Sequence, residues 1–312
     1  MSGQMTDDKS AASAANTQSS VSHTQAYLLI SLAVFLWAVG TVIARGIHEE
    51  VPLIGLSFWR WLIASAVMLP FVGRELYYKW KLVRQHLWIL VSQGIIIVGS
   101  GALLFVGVMF TTAINAVLIN AAQPVLTVML AWIVLGDRLN KIQLLGIVSA
   151  VIGVGIMIIK ADFQVLSDFE FNVGDLLVIL AVMGYATYAI RIRKLPQGLG
   201  TFASLTVILF CGSLFLLPVY VAEAVYIKPL PFSGYVVFLV VLMALGISIA
   251  SMASWNKGNS IVGPSRAAAF VNLLPVYGAI LAILFLDEEL FLYHIFGAVL
   301  VCAGIFMVVR HR

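Results

Sequence analysis

Apolar residues run in long unbroken stretches along this chain, with polar residues gathered between them. Ten such runs are marked, at about 26–43, 53–72, 87–109, 113–135, 142–159, 173–190, 203–227, 235–255, 262–286 and 292–309. Each approaches or exceeds the ~20 residues that carry a helix, at about 1.5 Å per residue, across a hydrocarbon core about 30 Å thick. Stretches such as "YVVFLVVLMALGISIASMASW" do not alternate apolar with polar, which a transmembrane β-barrel strand would require. The pattern therefore predicts an all-α integral membrane protein of ten transmembrane helices joined by short connections. Residues 1–24 are rich in Ser, Ala, Thr and Gln without an apolar core, and are expected to form a disordered tail. They lack the basic start and cleavage site of a signal peptide, so the first helix is expected to stay in the mature protein. Composition agrees, with 62% hydrophobic and 10% charged residues, far from a soluble domain.

Charge gives the helices a direction. With the N-terminus inside, fourteen of the eighteen Lys and Arg residues fall on the cytoplasmic side: Lys9, Arg74, Lys79, Lys81, Arg84, Arg138, Lys141, Arg191, Arg193, Lys194, Lys257, Arg266, Arg310 and Arg312. The opposite side keeps Arg45, Lys160 and Lys228, together with most loop carboxylates, including Glu49, Glu50, Asp162, Asp168, Glu170, Glu223 and Asp287-Glu288-Glu289. The positive-inside bias thus predicts cytoplasmic termini. The net charge of +4 needs no nucleic-acid partner, because the excess lies where anionic headgroups attract it. One basic residue remains, Arg60, within "FWRW".

A repeat organises the runs. At a constant offset of 151 residues, Pro124 falls on Pro275, Leu130-Ala131 on Leu281-Ala282, Leu139 on Leu290, Gly146 on Gly297 and Gly153 on Gly304. Leu69-Pro70 and Leu217-Pro218 match more weakly, and are read as closing the second helix of each half. Two five-helix units are predicted, at 25–160 and 173–310. Five is odd, so the halves are expected to cross the membrane in opposite directions, an arrangement characteristic of secondary transporters with a midplane site at the repeat interface.

"WAVGTVIAR" with Trp37, Arg60 on the second run, "INAVLINAAQPVLTVMLAWIVLGDRLNKIQLLG" and its partner "SRAAAFVNLLPVYGAILAILFLDEELFLYHIFG" resemble the EamA-type carriers of the drug/metabolite transporter superfamily over nearly all of residues 26–309. A glycine-acid turn stands at Gly136-Asp137, while the second half departs to Asp287-Glu288. The resemblance implies a ten-helix carrier of small organic solutes, often amino acids or related metabolites, and often directed outward. It does not name the solute.

Candidate site residues follow from what the bilayer makes costly. Arg60 lies eight residues into its run, and a charge near the bilayer centre costs at least about 2.5–3.5 kcal/mol. Snorkelling, a structural lock on backbone carbonyls and direct contact with solute are all open. Ser57, Arg60, Ala64 and Val67 share one helical face. Pro124 and Pro275 each remove a backbone donor at midspan, predicting two symmetric kinks. Asn120, Gln123 and Thr127 share one face of the fourth helix, and Arg266, Phe270 and Tyr277 one face of the ninth; Asn272 points elsewhere and Asn115 lies near an interface. Among Trp37, Trp59, Trp61, Tyr185, Tyr188 and Trp255, those near helix ends read most simply as interfacial belts, and Trp37, Tyr185 and Tyr188 are the better candidates for a pocket wall. Such a wall suits an apolar side chain or an amine. Gly94, Gly99, Gly101, Gly146 and Gly153 permit close helix contacts.

No carboxylate is placed deep in a run. Asp175 and Glu50, near run ends, are the coupling candidates, with protons, other coupling or none left open. No H-E-x-x-H, G-x-S-x-G or paired buried acids support an enzyme. His23, His48, His86, His294 and His311 are scattered, and Cys211 and Cys302 are isolated, so no metal, cofactor or disulfide is proposed. The reading is a secondary carrier in a bacterial inner membrane, with a small-molecule solute and membrane lipid as partners. An exporter leads; an uptake permease, a uniporter and a lipid flippase on the same fold remain alternatives, as do monomer and dimer.

Overall fold

A computed structural model describes residues 23–135, 140–158, 172–191, 194–262, 270–271 and 273–310. The Gly136-Asp137 turn, Arg266, Asn272 and residues 1–22 lie outside them. The described chain is helical: α1 (His23–Ile47), α2 (Leu53–Tyr78), a short α3 (Trp80–Gln85), α4 (Leu87–Phe110), α5 (Ala113–Ala121), α6 (Gln123–Leu135) and α7 (Lys141–Ile158), then α8 (Val173–Arg191), α9 (Thr201–Tyr226), α10 (Gly234–Leu242), a π segment (Met243–Ala250), α11 (Ser251–Val262), α12 (Leu273–Leu286) and α13 (Leu292–Arg310). Among the described residues, six helices are long and apolar enough to cross a membrane: α1, α2, α4, α8, α9 and the continuous Gly234–Asn259. Shorter apolar helices occupy Lys141–Gly153, Leu273–Leu286 and Leu292–Gly304. Their outward faces carry large apolar side chains such as Phe71, Ile133, Leu145, Phe285 and Val299, as a lipid-facing surface does.

Three local expectations change. Pro70 and Pro218 do not close their helices, which continue to Tyr78 and Tyr226. The midspan prolines sit after a break rather than at a kink. The fourth run stops at Ala121, turns at Ala122 (φ −75°, ψ −4°) and restarts at Gln123. Pro124 is thus in the first turn of α6, where a missing N–H is unmatched in any helix. Pro275 likewise falls in the first turn of α12, as its third residue after a start at Leu273. Finally, Asp287, at the position equivalent to Gly136, adopts φ 53°. The second half takes a left-handed turn there without glycine, and Asp is among the few residues that tolerate it.

The major helix pairs cross between the halves. α7 packs on α13, α8 on α4, α9 on α2 and α4, and α1 on α11 and α12. The contacts are reciprocal. A Cβ on Gly153 would lie 2.7 Å from the Gly297 carbonyl oxygen, and one on Gly304 would collide with the Gly146 carbonyl, so both need glycine. Ser149 Oγ meanwhile donates to the Leu300 carbonyl at 2.9 Å. These pairs are related by the 151-residue offset. In the α4–α8 crossing Gly107 abuts Gly174 and Val178; at the equivalent position in α11, Gly258 abuts Ala26 and Ile30 of α1. Gly94 meets Gly212 backbone to backbone, while Gly99 approaches nothing closely.

Carboxylates complete this exchange. Glu75, near the end of α2, accepts from Gly200 N–H at the start of α9 at 2.7 Å. Glu223, near the end of α9, accepts from Ile54 and Gly55 N–H at the start of α2, at 3.2 and 2.7 Å. Each helix of this antiparallel pair supplies the acid that satisfies the other's orphan amides. Glu288 does the same for α5, accepting from Ala113 and Ile114 N–H at 2.8 and 3.0 Å.

Candidate functional site

Arg60 is 4% exposed, held on α2 with Ser57 and Ala64 also buried; Val67, expected on that face, is exposed. Its guanidinium carbon lies 4.1 Å from the Trp61 ring centroid and 4.7 Å from that of Phe105 on α4. Tyr185, on α8, is within electrostatic reach. Each desolvated cation–π contact contributes up to about 2 kcal/mol. Two of them match the scale of the insertion cost, so Arg60 stays charged here without an acid. Ring faces, however, accept N–H groups only weakly. Among the described residues, Arg60 Nε has no hydrogen-bond partner, and neither do the neighbouring Ser57 Oγ and Trp61 Nε1. Neither Glu49 nor Glu50 reaches it: both side chains are exposed, and Glu50 contributes only its backbone carbonyl, to Lys228 Nζ at 2.8 Å. What results is a stabilised cation whose donor edge lacks a protein acceptor, the arrangement that a carboxylate fits bidentately.

A second aromatic group gathers Trp37, Tyr277 and Phe270. Trp37 packs 5.1 Å from Trp255, centroid to centroid, and its Nε1 donates to Ser251 Oγ at 3.1 Å. Tyr277 shares a hydrogen bond of 2.6 Å with Ser31, and Phe270 stacks on Tyr27 at 5.2 Å. Trp61 is buried and Trp255 half-buried, each packed against other helices. Belt positions suit the exposed Trp80 and Trp88 instead. Tyr188 packs with the Arg60 group, where its carbonyl accepts from Gln93 Nε2 at 3.3 Å. No hydrogen bond or ring contact joins the two groups among the described residues. Asn120 and Gln123 flank the Ala122 break, half-buried, and their side-chain amides bond to no other described group; Thr127 is spent on the Gln123 carbonyl at 2.8 Å. Beside the break, an apolar cavity of about 330 Å³ is lined by residues including Ile119, Ala122, Leu126, Val151, Ile179 and Met183. It lies apart from Arg60.

Asp175 differs most from its expectation. Read as peripheral, it is 0% exposed. Thr111 Oγ1 donates to it at 2.5 Å, and Asn115 Nδ2 lies 3.4 and 3.5 Å from its two oxygens. Asn115 Oδ1 in turn meets His294 Nε2 at 3.1 Å. Sequence position near a run end concealed this network. Phe105, Ser251 and the three capping glutamates were also missed, for want of any local pattern.

The EamA-like transporter family matches residues 24–159 and 172–310. "Uncharacterized transporter YyaM" of Bacillus subtilis is 30% identical over 252 residues, 79% of this chain and 81% of its own. "Probable amino-acid metabolite efflux pump" of Escherichia coli is 25% identical over 290 residues, 90% and 93% of the two chains. A solved crystal structure superposes with a TM-score of 0.57 at 16% identity, covering 92% of this chain and 96% of its own, a likeness of fold. With both halves matched and the major helix pairs formed between them, the chain is a multi-pass membrane protein that belongs to the EamA-like transporter family.

Proposed function

We propose that this transporter exports small organic metabolites such as amino acids or related amines, with those that carry a carboxylate beside an apolar or aromatic part favoured. Arg60 carries the reading: a buried guanidinium stabilised by ring faces, with no hydrogen-bond acceptor on its N–H edge among the described residues. The efflux-pump names of relatives in Escherichia coli and Salmonella typhimurium, each at 25% identity, support the substrate class and the direction. Trp37, Tyr185, Tyr188, Phe270 and Tyr277 supply aromatic walls; Asn120 and Gln123 supply amides where the Ala122 break opens the backbone.

The chain spans a bacterial inner membrane ten times as two inverted five-helix repeats, 25–160 and 173–310, behind a cytoplasmic tail, with both termini cytoplasmic. Reciprocal antiparallel contacts and the basic-residue count support this topology. The end bearing Glu223, Glu288 and Asp175 is then the outer one. Solute moves by alternating access. Since the major pairs join the halves, the bodies that move are mixed bundles, such as α4 with α8 against α1 with α11.

Purified protein in proteoliposomes, screened with amino acids, amines and organic acids with and without a pH gradient, tests the proposal. Carboxylate-bearing solutes are expected to move, and Arg60→Gln to abolish their advantage over matched amines. Lipid scrambling without solute flux would overturn it in favour of a flippase.

A further inference from the structure

Four polar side chains from both halves form one buried chain at the outer end. Asp175 on α8, Asn115 on α5 and His294 on α13 are at most 2% exposed, and Thr111, in the turn between α4 and α5, is 4% exposed. Their order specifies donors and acceptors. Phe291 N–H donates to His294 Nδ1 at 3.1 Å, so that nitrogen bears no proton. His294 is then the neutral Nε2–H tautomer and donates to Asn115 Oδ1 at 3.1 Å. With Oδ1 accepting, the Asn115 amide nitrogen must point its donors at Asp175, which also accepts from Thr111. An ionised Asp175 and a neutral His294 satisfy all of these bonds together.

One added proton disturbs this arrangement at either site. On His294 Nδ1 it displaces the Phe291 N–H, undoing the bond by which the imidazole caps the start of α13. On Asp175 it removes the charge to which Thr111 and Asn115 donate. Either change loosens the junction of α5, α8 and α13 about two turns from the Ala122 break, by residue count. The other titratable groups nearby are few. Tyr293 faces Asp175 electrostatically and its ring lies 4.2 Å from that of His294. Glu288 caps α5, and Arg45 donates from α1 to the Val108 and Met109 carbonyls at the end of α4, at 3.0 and 3.2 Å. α4, α5 and α6 themselves carry no acid, base, tyrosine or cysteine.

The geometry points to a proton-binding latch: Asp175 and His294, bridged by Asn115, take up a proton from the outer side, and its binding releases the outer end of α5. In a carrier that exports solute, the proton enters as solute leaves. The inference rests on the transporter reading above, and supplies its coupling ion.

Two measurements separate the inference from that reading. Hydrogen exchange of full-length protein in lipid nanodiscs, corrected for intrinsic rates, is followed over residues 111–122 and 290–296 at pH 5.5 and 7.5. Acid should accelerate exchange about fivefold or more, the low end of typical coupling energies. Asp175→Asn and His294→Gln should each flatten that response; the amide in His294→Gln keeps a donor for Asn115 if Asp175→Asn fails to fold. A pH response unchanged in the variants, or none in the native protein, overturns the latch. In proteoliposomes, the probe is L-phenylalanine with an acid outer medium. Flux driven by the gradient in native protein, and independent of it in His294→Gln, supports coupling; gradient-insensitive native flux overturns it. No phenylalanine flux beside an intact exchange response supports the latch and refutes phenylalanine as a solute.

Discussion

At the residue scale, the difference between a structural arginine and a binding arginine lies in which part of the guanidinium is satisfied. Trp61 and Phe105 cover its charge, a role an ammonium could partly share. Neither supplies an oxygen acceptor, so on the proposed reading the planar fork is left to pair with a carboxylate solute. Arg60→Lys should therefore fold and reach the membrane, yet raise the half-saturation concentration for carboxylate solutes about tenfold, equivalent to about 1.4 kcal/mol. Loss of folded protein with Arg60→Lys, by gel filtration in detergent, would make it a lock instead. Asn120 offers a cleaner contrast. Its amide holds no other described group, so Asn120→Ala should leave thermal stability within about 0.5 kcal/mol while weakening solute binding. Trp37→Ala should do both kinds of damage, because it also loses the Trp255 and Ser251 contacts.

At the element scale, the helices are tied end to end by acids that read as ordinary loop charges in sequence. Glu75 and Glu223 join α2 and α9 reciprocally, and Glu288 holds the start of α5. Nothing in their local sequence marks them, since each partner amide is far away along the chain. Glu223 is 7% exposed and accepts two amides; hydrogen bonds to a charged group contribute about 1.5–3 kcal/mol each. Glu223→Ala should thus lower the melting temperature in detergent by several degrees, whereas Glu50→Ala, an exposed neighbour whose side chain bonds to nothing described, should leave it unchanged. Equal losses in both would remove the capping argument. The break at Ala122 belongs to this scale too. A proline in mid-run predicts disruption but not its form, because a kink and a restart with proline in the first turn share one sequence.

For the whole molecule, much of the architecture is legible because the bilayer imposes long apolar runs, and because a 151-residue repeat survives in prolines and glycines. Arg60 stands out for the same reason. Burial of Asp175 does not, since depth along a run says nothing of what covers a side chain from other helices; nor does the pairing of Arg60 with Phe105, which only the fold brings together. The offset also conceals that the repeats are not independent bodies. Close approaches such as Gly153 to Gly297, Gly304 to Gly146 and Gly94 to Gly212 join one half to the other, as does the network from Asn115 to Asp175 and His294. A half alone would leave those faces, and the amides capped by Glu75 and Glu223, without partners in lipid, where each unsatisfied group costs several kcal/mol. A chain divided between the two matched segments, near residue 165, should therefore yield no stable protein from either half expressed singly. Co-expressed, the halves should copurify and recover transport. A single half that is monodisperse and protease-resistant on its own would show that the contacts within each repeat suffice, and with it would fall the mixed moving bundles proposed for alternating access.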